Sequence, residues 1–370
     1  MNTDLCAVST TPIDIRSLSK EQLTALVADL GEKPYRAKQL WDWLWKKKAR
    51  AWDDMSDLPK AFREKLSEHT LFRPLELVEE QRSEDGTIKC AFRTWDGHIV
   101  EGVLIPTPKR QTACISSQIG CSLTCTFCAT GKLKRIRNLD AAEIVDQVTL
   151  IDDLALKYNK KNVTNIVYMG MGEPLLNYAN TMASADLINS QDALGMGSRR
   201  ITVSTAGIAK MIRKLADDGA RFHLAISLHA ATDAKRDTIM PINEQTPLAE
   251  LKDALRYYTR MTKKDVTFEY ILLKGFNDSI ADAQDLVRYA SDVDSKVNLI
   301  EYNPIDASAN VKGSFQRSSD EDAAAFMYHL ESKGIVARIR RSRGKDIDAA
   351  CGQLANKNTP AIKDGERVMK

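Results

Sequence analysis

The residues best suited to chemistry lie in one short window, Cys121-Ser122-Leu123-Thr124-Cys125-Thr126-Phe127-Cys128. Three thiols at spacings of four and three positions are soft donors of the kind that hold iron–sulfur clusters or zinc. A four-iron cluster has four corners, each normally on a cysteine, so three cysteines leave one iron open to a substrate ligand. A structural zinc ion is the competing reading. It wants four protein ligands, usually with two to four residues between paired cysteines. Cys114 would have to serve as the fourth from seven residues back, and the loop contains no histidine.

A second motif is Gly170-Met171-Gly172-Glu173-Pro174. It lacks the third glycine of a dinucleotide fingerprint and the Gly-Lys-Ser/Thr of a phosphate loop. Its carbonyls and Glu173 suit a small ammonium group, with the glycines allowing close approach; an ordinary strand-to-helix turn fits the same residues. Polar residues also end three later strands: Ser204, the run Ser227-Leu228-His229, and Asn303. Singly, each reads as a cap or loop residue. Glu101 alternates with Ile99, Val103 and Ile105. That pattern allows a carboxylate among apolar neighbours, its pKa raised as a proton carrier needs, or an exposed glutamate on an edge strand. Cys351 lies in a C-terminal segment, and a lone cysteine there is ordinarily inert. Its neighbours Arg338, Arg340, Arg341, Arg343 and Lys345 would favour a thiolate.

The elements that position these residues fall into a clear order. Ser19 and Gln22 form a capping box ahead of an apolar helix that Gly31 stops; Pro34 opens a second helix, and a third covers 60–68. Strand-like runs at 90–94 and 98–105 flank the turn Trp95-Asp96-Gly97. From residue 111 strands and helices alternate. Strands are expected at 112–116, 165–169, 201–203, 224–228, 267–273, 297–300 and 336–340, with helices between them. Repeated βα units imply parallel strands and right-handed crossovers. The expected fold class is therefore α/β, a partial (βα)6 barrel of TIM type with an open side. Polar strand ends and the cysteine loop would then share its C-terminal mouth. The expected divisions are an N-terminal helical domain at 1–75, a β extension at 76–107, the barrel at 108–345 and a C-terminal segment at 346–370.

Composition narrows the class. The 370 residues are 43% hydrophobic and 28% charged, ordinary for a globular protein and unlike a disordered chain. No apolar run reaches the roughly 18 residues of a membrane span, and no signal-peptide pattern opens the chain. A cytoplasmic location without membrane partners is the expectation. Seven cysteines, an odd count, argue against a disulfide framework. Lysine plus arginine exceeds aspartate plus glutamate only by 53 to 50. Any nucleic-acid site must come from local patches such as 46–50, 132–137, 199–200 and 338–345.

The cysteine spacing resembles that of the radical S-adenosylmethionine (SAM) superfamily. Together with Gly172-Glu173-Pro174-Leu175-Leu176-Asn177, Met240-Pro241-Ile242-Asn243 and Asp346-Ile347-Asp348-Ala349-Ala350-Cys351-Gly352-Gln353-Leu354, it is similar to the RlmN/Cfr family of RNA adenine methyltransferases over nearly the whole chain. The resemblance implies a radical SAM barrel and a [4Fe-4S] cluster on Cys121, Cys125 and Cys128. SAM would sit on the open iron, bound by Gly172, Glu173, Ser204, Ser227, Leu228, His229 and Asn303. It further implies that one SAM methylates Cys351, and that a second yields a radical that takes hydrogen from the S-methyl group. The carbon then adds to adenine, a disulfide between Cys114 and Cys351 frees the product, and Glu101 handles a proton. The implied substrates are 23S rRNA at the peptidyl-transferase centre, before ribosome assembly is complete, and tRNA 3′ of the anticodon. A flavodoxin- or ferredoxin-type electron donor and a monomer are also implied. Pro174 matches the branch that methylates C2, since the C8 branch has alanine there. The open alternatives are C8 methylation and a non-catalytic metal-containing RNA-binding protein. Methylthiolation is disfavoured because no second three-cysteine cluster lies in the N-terminal region.

Overall fold

The structure is a computed structural model describing residues 13–305 and 314–355. Cys6 and the chain past residue 355 lie outside the described residues. Three helices come first: α1 (Lys20–Asp29), α2 (Tyr35–Trp41) and α3 (Lys60–His69). The expected capping box at Ser19 and Gln22 starts α1. A wide helical turn, Asp42–Lys46, follows α2. The buried faces of these helices meet through Leu23, Val27, Leu40, Phe62 and Leu66.

Strands β1 (Glu76–Arg82), β2 (Ile88–Arg93) and β3 (Ile99–Pro106) form an antiparallel meander. The sequence reading singled out two strands in this region, and the third, β1, is charged and half-exposed along its length. It is the edge of the sheet, where charged side chains discourage pairing with other chains. Next, β3 pairs antiparallel with β4 (Gln111–Cys114), so the extension and the barrel share one ten-stranded sheet.

A two-residue ladder, β5 (Gln118–Ile119) with β6 (Arg137–Asn138), brackets the cysteine loop. The barrel continues through α4 (Ala141–Asn159), β7 (Asn165–Tyr168), α5 (Tyr178–Asn189), β8 (Ile201–Thr205) and α6 (Ala209–Asp217). Next come β9 (His223–Ser227), α7 (Asp233–Ile239), α8 (Leu248–Thr262), β10 (Val266–Leu272), α9 (Ile280–Ala290) and β11 (Ser295–Glu301). The series closes with α10 (Asp320–Ser332) and β12 (Ala337–Arg340). From β4 and β7 onward every neighbouring pair is parallel and in chain order. Six βα units plus a closing strand match the expected partial barrel.

Strand alternation sorts side chains between two faces. On β10, Phe268 meets Tyr289 of α9 and Tyr270 meets Phe326 of α10. The intervening Glu269 and Ile271 line the barrel interior instead. Helix α4 is buried on nearly every side, because the helical domain docks on it as well. Arg16 donates to Asp146 at 2.6 Å, Lys48 reaches Asp152 at 2.7 Å and Arg50 reaches Asp153 at 2.7 Å. Lys46 and Lys47 face Asp42 and Asp57. The basic run at 46–50, expected to meet RNA phosphates, is thus paired with the chain's own aspartates. Two of its members fasten the helical domain to the barrel.

Candidate active site

The loop after β4 is folded back on itself by backbone hydrogen bonds. Cys121 N–H donates to Leu133 O at 3.4 Å, Cys128 N–H to Cys125 O at 3.2 Å and Gly131 N–H to Cys128 O at 3.1 Å. The C-terminal segment lies directly on this loop. Ala129 N–H donates to Gly352 O at 2.7 Å, and the Thr130 hydroxyl to Leu354 O at 2.6 Å. Those two bonds bring Cys351 to the cysteine loop across more than 220 residues of chain. Cys121, Cys125 and Cys128 share a cavity of about 220 Å³ with Cys114 and Cys351.

Burial is the main influence on these thiols. It pushes Cys121 up to about 11, with the nearby Glu173 and Cys128 adding to the rise. Cys125 and Cys128 are pushed up by the same cause. Buried thiols of this kind stay protonated until a metal displaces the proton. Among the described residues, no set of three His, Cys, Asp or Glu side chains converges as a single ion requires. Three soft donors spread around one cavity wall, with no fourth ligand closing the set, fit a multi-iron cluster better than a structural zinc ion.

The same cavity is also lined by Gly172, Glu173, Ser204, Ser227 and His229. Gly172 has φ +91°, and a Cβ there would lie 2.5 Å from Gln118 Cβ. Its conformational freedom therefore serves close packing against Gln118, and Gly172 also lines the cavity. Glu173 is buried and spans two strand ends: its carboxylate accepts from Leu175 N–H at 2.9 Å and Ala206 N–H at 2.7 Å. Burial raises its pKa, and these two bonds, with a third from the Thr205 side chain, oppose the rise.

His229 has a left-handed backbone, φ +59°, a conformation that persists in a non-glycine residue only where the surroundings enforce it. Its Nδ1 accepts from Ile271 N–H at 3.1 Å and its carbonyl from Asn277 Nδ2 at 2.7 Å. Burial, reinforced by the charge on Arg236, pushes its pKa down to about 3. The ring is therefore neutral with its proton on Nε2, a fixed donor.

Three of the predicted residues sit behind the cavity wall. Leu228 is fully buried, and its backbone N–H donates to Glu269 O at 3.0 Å. Asn303 donates to Ser342 Oγ at 2.9 Å and toward Cys351 O at 3.5 Å, bracing the segment that carries Cys351. Glu101 is 1% exposed, which removes the exposed edge-strand reading. Its surroundings are also not simply apolar. Lys89 Nζ lies 3.2 Å away, and Ala355 N–H donates to its Oε2 at 2.8 Å.

Two site residues escaped the sequence reading. Arg236, 0% exposed, donates to Ala206 O at 2.5 Å, Leu228 O at 3.1 Å and Asn243 Oδ1 at 2.7 Å. It ties together the ends of β8 and β9, and the Met240-Pro241-Ile242-Asn243 motif supplies its partner. Glu269, at the level of Ser227 on β9 and Asn298 on β11, points into the cavity. The signal for Glu269 was a charged residue in an otherwise apolar run; Arg236, between Lys235 and Asp237, carried none.

Residues 13–71 match the family described as Ribosomal RNA large subunit methyltransferase N-terminal domain, and residues 115–287 the Radical SAM superfamily. A Flavobacterium johnsoniae protein described as a probable dual-specificity RNA methyltransferase RlmN is 50% identical, covering 93% of this chain and 97% of the relative. The dual-specificity RNA methyltransferase RlmN of an Anaeromyxobacter species is 46% identical over 94% of this chain and 92% of its own. The crystal structure of a radical SAM methyltransferase from Sphaerobacter thermophilus superposes with a TM-score of 0.87 at 42% identity, covering 93% of this chain and 99% of that one. No helix among the described residues is long and apolar enough to cross a membrane. With relatives this similar over both their length and its own, the chain belongs to the RlmN family of radical SAM RNA methyltransferases.

Proposed function

We propose that this chain methylates C2 of an adenosine in 23S rRNA at the peptidyl-transferase centre, and C2 of the adenosine 3′ of the anticodon in tRNA, with Cys351 as the methyl carrier. The observation that carries the reading is the docking of Cys351 on the cysteine loop, in one cavity with Cys114. Cys121, Cys125 and Cys128 would hold a [4Fe-4S] cluster. Bound there, the cluster would supply the electron that cleaves SAM and so starts radical chemistry. Glu173, Ser204, Ser227 and the Nε2–H of His229 offer acceptors and donors to SAM, and Asn303 steadies the wall behind it.

Adenine C2 is not nucleophilic, so direct polar transfer of a methyl cation would fail there. A methyl group parked on Cys351 can instead lose a hydrogen atom and bond to C2 through carbon. Cys114 then serves as the resolving thiol. After the adduct gives up one electron to the oxidised electron carrier and its C2 proton to a base, the Cys114 thiol loses its proton and its sulfur bonds to that of Cys351. The Cys351 sulfur–carbon bond breaks, and the freed methylene takes up a proton to become the methyl group on the base. Burial, and the neighbouring Cys351 after it, pushes the Cys114 thiol up to about 12. It therefore stays protonated and unreactive until that step. Glu101 takes the role of proton carrier, with Lys89 beside it. A flavodoxin- or ferredoxin-type donor, a monomeric enzyme and a cytoplasmic location complete the reading.

The test is nucleoside mass spectrometry after anaerobic turnover of reconstituted protein with SAM, a reductant and a 23S rRNA fragment from the peptidyl-transferase centre. The expected product is 2-methyladenosine, absent with Cys351→Ala. A product that co-elutes with 8-methyladenosine would overturn the choice of carbon.

A further inference from the structure

Two charged groups mark the cavity. Glu173 is the carboxylate whose charge bears on Cys121 and Cys125. Arg340 faces Cys351, Cys114 and Glu269. Its Nη1 lies 3.5 Å from Met169 Sδ and 3.7 Å from Glu269 Oε2. Met169 in turn hydrogen-bonds the Cys114 thiol through its backbone.

Glu269 is the unexplained group in this arrangement. Its side chain is 5% exposed, and Oε1 accepts from Asn298 Nδ2 at 2.8 Å. Oε2 is buried without a hydrogen-bond partner, since the Arg340 contact is too long to be one. A buried carboxylate oxygen left in this state is costly unless a ligand supplies the missing donor. The side chain lines the cavity.

We propose that Glu269 and Arg340 read the Watson–Crick edge of the target adenine, Glu269 Oε2 accepting from the 6-amino group and Arg340 donating to N1. The inference rests on the adenine-C2 reading above and adds a specificity site to it. Arg340 is the group that neighbours both Glu269 and the Cys114–Cys351 pair, as N1 lies between C6, which bears the amino group, and C2 on the ring. A base held this way turns C2 toward the methyl carrier. The pair also rejects guanine and hypoxanthine, whose O6 would face a carboxylate and whose N1–H would face a guanidinium. An arginine donor on N1 withdraws electron density from C2, which favours attack by a carbon radical.

The experiment pairs an altered base with an altered residue. Two versions of the rRNA fragment carry adenosine or purine riboside, which lacks the 6-amino group, at the target position. Wild type, Glu269→Gln and Glu269→Ala are compared on both by kcat/KM, with SAM binding measured in parallel. Wild type should lose roughly 10- to 100-fold on purine riboside, because Oε2 is again left unpaired. Glu269→Ala should lose a similar factor on adenosine yet discriminate little between the two RNAs, and Glu269→Gln should fall between. Equal wild-type rates on the two RNAs would overturn the proposal, and this arm needs no variant to fold. Weakened SAM binding in Glu269→Ala, with discrimination between the RNAs unchanged, would overturn it too by assigning Glu269 to SAM. If wild type forms no 2-methyladenosine even on the adenosine RNA, the adenine-C2 reading itself fails and takes this inference with it.

Discussion

The ion pair between Lys89 and Glu101 gives a stability prediction with a definite sign. The two side chains are 4% and 2% exposed, and Nζ lies 3.2 Å from Oε1. At an effective dielectric near 20, the attraction at that distance is roughly 5 kcal/mol. Desolvating two ions offsets most of it, so the intact pair is close to neutral overall, whereas a lone survivor costs about 3–5 kcal/mol. Lys89→Met and Glu101→Gln should therefore each destabilise by about that much. The double variant should lie within about 2 kcal/mol of wild type, because no uncompensated charge remains. Glutamine keeps an acceptor for Ala355 N–H, so that bond is not a confounding loss. The assay is urea unfolding of the four metal-free proteins, followed by circular dichroism and tryptophan fluorescence. Losses that add to within about 0.5 kcal/mol would refute the reasoning, since additivity means that the two groups do not act on each other.

Other expectations concern the same architecture. Arg236→Met strands the carbonyls of Ala206 and Leu228 and should lower stability by about 3–5 kcal/mol; Arg236→Lys keeps the charge but not the fork and should recover little of it. Thermal denaturation checks both, and a loss under about 1 kcal/mol would count against a structural role. Burial alone would raise the Glu301 pKa, but hydrogen bonds from Lys345 and Arg341 outweigh it and hold the carboxyl at about 2. A depressed folded-state pKa means that its contribution is present above the unfolded value near 4.3 and fades as pH falls from there to about 2. The difference in melting temperature between wild type and Glu301→Gln should close over that window; a gap unchanged at pH 2 would contradict it. In the metal-free protein, thiols held up at about 11 for Cys121 and about 12 for Cys114 should alkylate slowly at pH 8 and roughly tenfold faster per pH unit. Mass spectrometry of iodoacetamide-treated protein tests this, and fast labelling of Cys114 at pH 8 would show that its burial is not retained in solution.

Local patterns carried much of the architecture in the sequence. The capping box at Ser19, the βα rhythm from residue 111 and the spacing of Cys121, Cys125 and Cys128 each depend on residues a few positions apart. Strand β1 was harder to read, because an edge strand written Glu76-Leu77-Val78-Glu79-Glu80-Gln81-Arg82 hides its alternation under charges that protect the edge. The run Lys46-Lys47-Lys48 has a structural role that its composition does not disclose. A solvated basic face and a set of interdomain ion pairs have the same composition, and only the fold brings Asp152 within reach of Lys48. Arg236 and Glu269 were invisible as site residues because their partners lie on other strands. A charged residue inside an apolar run does mark a position where tertiary contacts must compensate burial.

The C-terminal segment explains why the antiparallel extension and the barrel share one sheet. Cys351 has no regular element of its own to hold it, and its neighbours are turns. Rigidity must be borrowed from two sides. The cysteine loop supplies one through Ala129 and Thr130. The extension supplies the other: Ser83 Oγ donates to Asp346 at 2.6 Å, Gly344 N–H donates to Asp85 at 3.1 Å, and Glu101 receives Ala355 N–H. Because β3 is hydrogen-bonded to β4, and β4 ends at Cys114, both thiols are referenced to one continuous sheet. In the proposed mechanism, a sulfur that carries a methyl group and a second that resolves it need a fixed separation. A segment without secondary structure obtains that separation only by being pinned at both edges.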